Sequence, residues 1–307
     1  MRKAWRASVL SIALCSAPPA AAQTDPAPEP AQSDDAIVVT GETEPPPRRE
    51  VFDQALELSR VDPGRMYEEA LARLTAPLCL DVTGVETDLA DELAARIRAN
   101  AEQLELRLAR GRCTPNLVVA FVDDSRELIA DLADRHPRMF ELLGQAERDE
   151  ILADDAPVRV WNVVETKWAS GAPLAWRHGR QERPNVRGRV NRMLLPTRKD
   201  IDFALVVYDL DAVVGMTVVQ LADYATMRGL SHTRPASGDQ AMTTILALFD
   251  DADALSPDER GPAELTSFDI GYLRSVYFWK PEYSVPAVGR LLSVRRRAGD
   301  AMMEAGE

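Results

Sequence analysis

Asp223, Tyr224 and His232 are the side chains of this 307-residue sequence best placed for acid–base chemistry. Zinc-dependent hydrolysis would need about three convergent imidazole or carboxylate ligands and an open coordination position. The chain has three histidines, His136, His178 and His232, and none lies four residues from another. No metal and no cofactor is therefore expected. Without a metal, Asp223 could act as a general base only on a water held by some other group. The sequence contains no Gly-x-Ser-x-Gly elbow, no phosphate-binding loop and no catalytic-cysteine pattern. Two readings follow. In the first, Asp223 is a surface acid, Tyr224 a helix-packing aromatic, Gln220 part of a helix cap and His232 a loop residue, and the protein binds or scaffolds without catalysis. In the second, it is a peptidase-like hydrolase with Asp223 and His232 near the reacting group.

A second group of residues suits recognition. Trp161, Trp168 and Trp176 precede an arginine-rich run of Arg177, Arg180, Arg183, Arg187, Arg189 and Arg192, in a chain of net charge −13. Guanidinium forks match carboxylate and phosphate groups, and indole faces suit sugars or peptides. Trp168, Trp176, Arg177, Arg180 and Arg183 are the candidate binding residues. The competing account is a solvated loop balanced by neighbouring acids. Nucleic acid is excluded as a partner by the acidic balance of the whole chain.

These residues must be held by local structure. Ala204–Tyr208 is a continuous apolar run rich in valine, as expected of a strand covered on both faces. Thr217 and Gln220 form a capping-box pair, and Val218, Leu221, Ala222 and Ala225 then share one helical face. Gly229 reads as a left-handed closing residue, which predicts a helix ending at Arg228. Upstream, Thr87–Arg110 reads as a helix with Leu89, Leu93, Ile97, Leu104 and Leu108 on one stripe and Gly111 as its stop. Asn116–Val122 is a strand, Asp123–Ser125 caps a helix through Leu132, and Pro137–Leu143 and Ala146–Leu152 are short helices. Val158–Glu165 is a further strand. Strands separated by helices predict an α+β class with a mixed sheet covered by helices.

The stretch from Ala222 to His232 resembles the metal-binding helix of the metzincins, His-Glu-x-x-His-x-x-Gly-x-x-His. Aligned on Gly229, Leu230, Ser231 and His232, the sequence places Ala222, Asp223 and Thr226 where that motif has His, Glu and His. The glycine, the last histidine and a carboxylate at the base position are kept, and two of three ligands are gone. The runs Thr244–Asp251 and Leu265–Phe278 are similar to the helices that follow the metal helix and pack beneath it. The last third of the chain thus resembles the degenerate zincin-like domains of secreted alphaproteobacterial proteins, which implies a zincin-like C-terminal part without catalytic zinc.

The N-terminal end reads as an address. Arg2, Lys3 and Arg6, then the short apolar run Val9–Cys15 and the small residues Ala20–Ala22, predict a signal peptide over residues 1–22. Cys15 is preceded by Leu14, too large for the residue before a lipidated cysteine, and no later stretch is long enough to span a bilayer. Periplasmic or secreted localisation follows. Residues 23–50 are rich in proline, alanine and acid, which predicts a disordered arm. Within it Asp35–Gly41 resembles the TonB box of outer-membrane receptors. Asp35, Ile37, Val38, Val39 and Thr40 would then add a strand to a periplasmic protein partner, the alternative being a plain spacer. Residues 51–307 are read as one α+β domain, or as subdomains 51–155 and 156–307. In an oxidising compartment the remaining cysteines, Cys79 and Cys113, are expected to pair, the alternative being two buried thiols.

Overall fold

The apolar run after Asp200 becomes the central strand of a five-stranded sheet in the computed structural model. The structure describes residues 46–305, apart from 138–139, 141–142, 154–155, 178–179, 182–193, 239, 241 and 251–260. Residues Pro45–Glu307 group into one compact unit. The expected signal peptide and residues 23–45 of the expected arm, Asp35–Gly41 among them, lie outside the described residues; the last residues of that arm, Arg48–Glu50, are not disordered but open a helix.

The strands are β1 (Arg73–Leu74), β2 (Leu80–Thr83), β3 (Leu117–Val122), β4 (Val158–Trp168), β5 (Trp176–Arg177), β6 (Arg180–Gln181) and β7 (Thr197–Asp209). Strand β7 pairs in parallel with β3, from Leu117↔Ala204 to Val122↔Asp209, and with the short β1. Its other edge is taken by β4, antiparallel along its whole length. Strand β2 extends the sheet beyond β3, and β5 and β6 form a separate small ribbon. The mixed sheet expected from the strand patterns is observed, and parallel pairings dominate it.

Alternation along these strands feeds two cores, because successive side chains point to opposite faces. Leu117, Val119, Phe121, Ala204, Val206 and Tyr208 face the larger core. Ala120, Trp161, Val163, Leu205 and Val207 face the smaller one. Covering the first face are α1 (Arg48–Leu58), α2 (Thr87–Gln103), α5 (Val218–Leu230) and α6 (Ser267–Tyr277). Two further helices, α7 (Ala287–Leu291) and α8 (Val294–Ala305), complete that side. On the second face lie α3 (Ser125–Arg135) and α4 (Gln145–Ile151). Two buried faces explain why Ala204–Tyr208 is apolar without alternation.

Two helix ends differ from the sequence expectation. Helix α5 runs through Gly229 to Leu230. Gly229 is a helical residue, and its role is close approach: a Cβ there would lie 2.6 Å from Leu117 Cδ1 on β3. Helix α2 stops at Gln103, seven residues before the expected end. Glu105 adopts φ +58°, the Glu105 amide donates to Glu102 and the Leu106 amide donates to Ala101, a Schellman closure made without glycine. Tertiary pairing decides it. Leu78 exchanges backbone hydrogen bonds with Arg107 and Ala109, so Leu108 leaves the helix to lie beside the β2 edge. Cys79 and Cys113 are joined by a disulfide at the start of β2 and just before β3. Of the two runs after α5, the described residues of Thr244–Asp251 supply the 3-10 turn Ile245–Ala247 and no α-helix, whereas Leu265–Phe278 contains α6.

Candidate functional site

Helix α5 starts as its sequence dictates. The Gln220 amide donates to Thr217 Oγ1 at 3.1 Å, and the Thr217 amide donates to Gln220 Oε1 at 3.0 Å. The helix it launches is buried on almost every side, so its polar residues are matched to partners rather than to water.

Asp223 is fully buried, which corrects its reading as a surface acid. One of its oxygens accepts from Arg96 Nε at 2.8 Å and from Asn100 Nδ2 at 2.7 Å. The other accepts from Arg96 Nη2 at 2.7 Å and from the Leu265 amide at 2.8 Å. Four donors fill the carboxylate. Ala222 and Thr226, on the same helix, are also fully buried. The Thr226 hydroxyl donates to the Ala222 carbonyl at 2.8 Å and accepts from Asn100 at 3.0 Å. Helix α2 thus packs across this face of α5, with Asn100 bonded to both Asp223 and Thr226. Among the described residues there is no group of three His, Cys, Asp or Glu side chains able to hold a metal ion.

His232 lies past the other end of α5, with its side chain 15% exposed. Its Nε2 contacts Glu147 on α4. Glu147 also accepts from the Gly144 amide at 3.0 Å and sits 3.7 Å from Arg60 Nε. Glu150, one turn further along α4, accepts from Arg60 Nη2 with both oxygens at 2.7 Å and from Arg228 Nη2 at 3.1 Å. Arg228 reaches back one turn to donate to the Tyr224 hydroxyl at 3.1 Å. Tyr224 is a packing aromatic, edge-on to Phe249 at 4.9 Å. This cluster joins the two helical layers, with α5 and Arg60, two residues past α1, on one side and α4 on the other. Asn162 on β4 donates to the Arg228 carbonyl nearby, at 3.1 Å.

The electrostatics of the cluster are consistent with one protonation state. Although burial works against it, the Glu147 carboxyl is held down at about 2 by His232, the Gly144 amide and Arg60. Burial pulls the His232 imidazole below its usual range, against the opposing pull of Glu147. A neutral imidazole donating Nε2–H to an ionised carboxylate satisfies both directions. His232 also lines a depression with Arg60, Leu71, Lys199 and Tyr272. Its enclosed space is about 10 Å³, room for about one water.

Asp223 and His232 are therefore not brought together. Each has its own partners, at opposite ends of α5. The acid beside His232 is Glu147, which sequence reasoning missed because 85 residues separate the two and no local pattern links them. Of the recognition candidates, Trp168 ends β4 and is 40% exposed, whereas Trp161 is core, edge-on to Phe140 at 4.6 Å. Trp176 and Arg177 form β5 and Arg180 begins β6, while Arg183 lies outside the described residues. No protein-family model, no curated protein and no solved structure matches this chain.

Proposed function

We propose that this chain is an exported, non-catalytic binding or scaffolding protein whose α5 region is a zincin-like helix converted to structural use. The observation that carries this reading is the closure of the former metal face. Asn100 of α2 bonds to both Asp223 and Thr226, so the positions of base and second ligand support helix packing. A methyl group at Ala222 cannot coordinate, and a threonine hydroxyl is a poor zinc ligand. Without zinc, nothing there lowers the pKa of an attacking water. Export is supported by the residue pattern of 1–22 and by the Cys79–Cys113 bridge. Among the described residues, no helix is long and apolar enough to cross a membrane. Asp35–Gly41 would engage a periplasmic partner by strand addition.

The test is elemental analysis of protein purified from its own envelope. Well under one zinc per chain after dialysis, with no peptidase activity, is the expected result. Stoichiometric zinc that disappears in His232→Ala would overturn the reading. Intact mass should begin at Gln23, and Val38→Pro should abolish partner capture because proline removes a ladder amide.

The Glu147–His232 contact favours a second reading, in which these two residues serve a hydrolase. A neutral imidazole against a carboxylate is the orienting half of a nucleophilic system. The space beside it would have to open for any substrate. Hydrolysis of a nitrophenyl ester that is lost in both Glu147→Gln and His232→Ala, with folding retained, would support this alternative.

A further inference from the structure

We propose that the loop after α6, together with the start of α8, docks on an anionic lipid surface. Phe278, Trp279, Tyr283 and Leu292 are 59%, 46%, 49% and 60% exposed. Phe278 and Trp279 meet edge-on at 5.2 Å. The Tyr283 amide donates to the Lys280 carbonyl at 3.0 Å, which folds the segment into a tight turn. The segment that carries Leu292 is tied to α6, because the next residue, Ser293, donates from Oγ to Ser275 Oγ at 3.0 Å. The turn is anchored from below: the buried Arg73 of β1 donates to the carbonyls of Val276 and Trp279. These side chains are thus presented on a fixed base and not on a frayed end.

Charge selects the partner. From Arg274 to Asp300 five basic residues are exposed or half-buried, Arg274, Lys280, Arg295, Arg296 and Arg297, against two exposed acids, Glu282 and Asp300, in a chain of net charge −13; Arg290 is buried. The Arg297 guanidinium lies 3.8 Å over the Phe278 ring, and Lys280 and Arg296 are exposed. Amphipathic aromatic rings flanked by arginine and lysine suit the headgroup region of a bilayer. Anionic headgroups attract the basic residues that reach them. A second copy of the chain fits less well. A stable dimer buries roughly 1,200 Å² or more, whereas this surface is a few side chains on a loop, with like charges that would face each other across a two-fold. The inference is independent of the Glu147–His232 site, since none of its residues belongs to that cluster.

The test uses the purified full-length protein and large vesicles, either of phosphatidylcholine alone or with three parts in ten phosphatidylglycerol. Co-sedimentation with the anionic vesicles, weakened by high salt and absent with phosphatidylcholine, is the expected result. Neutralising two exposed charges in Lys280→Gln plus Arg296→Gln should lower the partition coefficient on the order of thirtyfold. Trp279→Ala should lower it by about tenfold. Leu152→Ala, exposed on a different segment, should leave it unchanged. Failure to sediment with anionic vesicles would overturn the proposal, as would equal, salt-insensitive binding to both vesicle types. A dimer in sedimentation velocity that Trp279→Ala dissolves would assign the surface to a second copy and overturn it equally.

Discussion

Arg96 grips Asp223 with two parallel hydrogen bonds, Nε at 2.8 Å and Nη2 at 2.7 Å, from α2 to the buried first half of α5. This fork ties the two helices together. Removing one partner of such a pair leaves the other uncompensated. Asp223→Ala should therefore destabilise the fold on the order of 3 kcal/mol, since Arg96 and Asn100 lose their acceptor together. Urea denaturation checks this. A loss below about 0.5 kcal/mol would return Asp223 to the role of an ordinary surface acid.

The Glu147–His232 pair gives a pH signature. Glu147 is held at about 2 in the fold, below its unfolded value, so its contribution is present above the unfolded pKa. That contribution is lost as pH falls toward 2. It amounts to on the order of 3 kcal/mol. Glu147→Gln should lower stability at neutral pH, with the gap to wild type closing as both are taken toward pH 2. Parallel stability–pH curves would refute the assignment.

His232 is shifted in the same direction, with burial as the cause. Burial favours the neutral imidazole, so the folded state takes up this proton less readily than the unfolded chain. Its effect is a loss of stability as pH drops below the ordinary histidine range. Proton NMR should place His232 below that range in the wild type. Glu147→Gln should push it lower still, because the carboxylate is what opposes burial. A rise on Glu147→Gln would mean that the carboxylate is not ionised.

The Cys79–Cys113 bridge closes a loop at the edge formed by β2 and β3. With a sequence separation of 34, the chain-entropy argument assigns it roughly 3–4 kcal/mol. Replacing both cysteines by alanine should lower the urea midpoint accordingly without changing the far-ultraviolet spectrum. Thiol labelling of denatured, unreduced protein should find neither cysteine free, and labelling of both would refute the bridge.

Two helix glycines should respond differently to alanine. At Gly229 the added Cβ meets a leucine methyl that can rotate. At Gly271, on α6, it would lie 2.6 Å from the Ala298 amide nitrogen and 2.8 Å from the Val294 carbonyl of α8. Backbone cannot step aside. Gly271→Ala should cost more than the 1–3 kcal/mol typical of overpacking, and Gly229→Ala should fall within that range. Leu117→Val should partly rescue Gly229→Ala and leave Gly271→Ala unimproved.

The pattern of residues by itself determined the strands around Ala204–Tyr208 and Leu117–Val122, the Thr217–Gln220 cap, the mixed α/β class and the disulfide. Each depends on local periodicity, on hydrogen bonds within four residues, or on there being only two cysteines beyond Cys15. Tertiary structure decided what those signals leave open. Gly229 looks like a helix stop because left-handed backbone and close packing both call for glycine, and only Leu117 distinguishes them. The early end of α2 depends on Leu78, which pairs with the segment after the helix. Asp223 looks like a surface acid on a helix wheel until α2 supplies Arg96 and Asn100. Glu147 and His232 meet across 85 residues, and Arg60 reaches Glu150 across 90. No spacing rule links residues so far apart: such pairs form only once the sheet has set the positions of the helices that carry them.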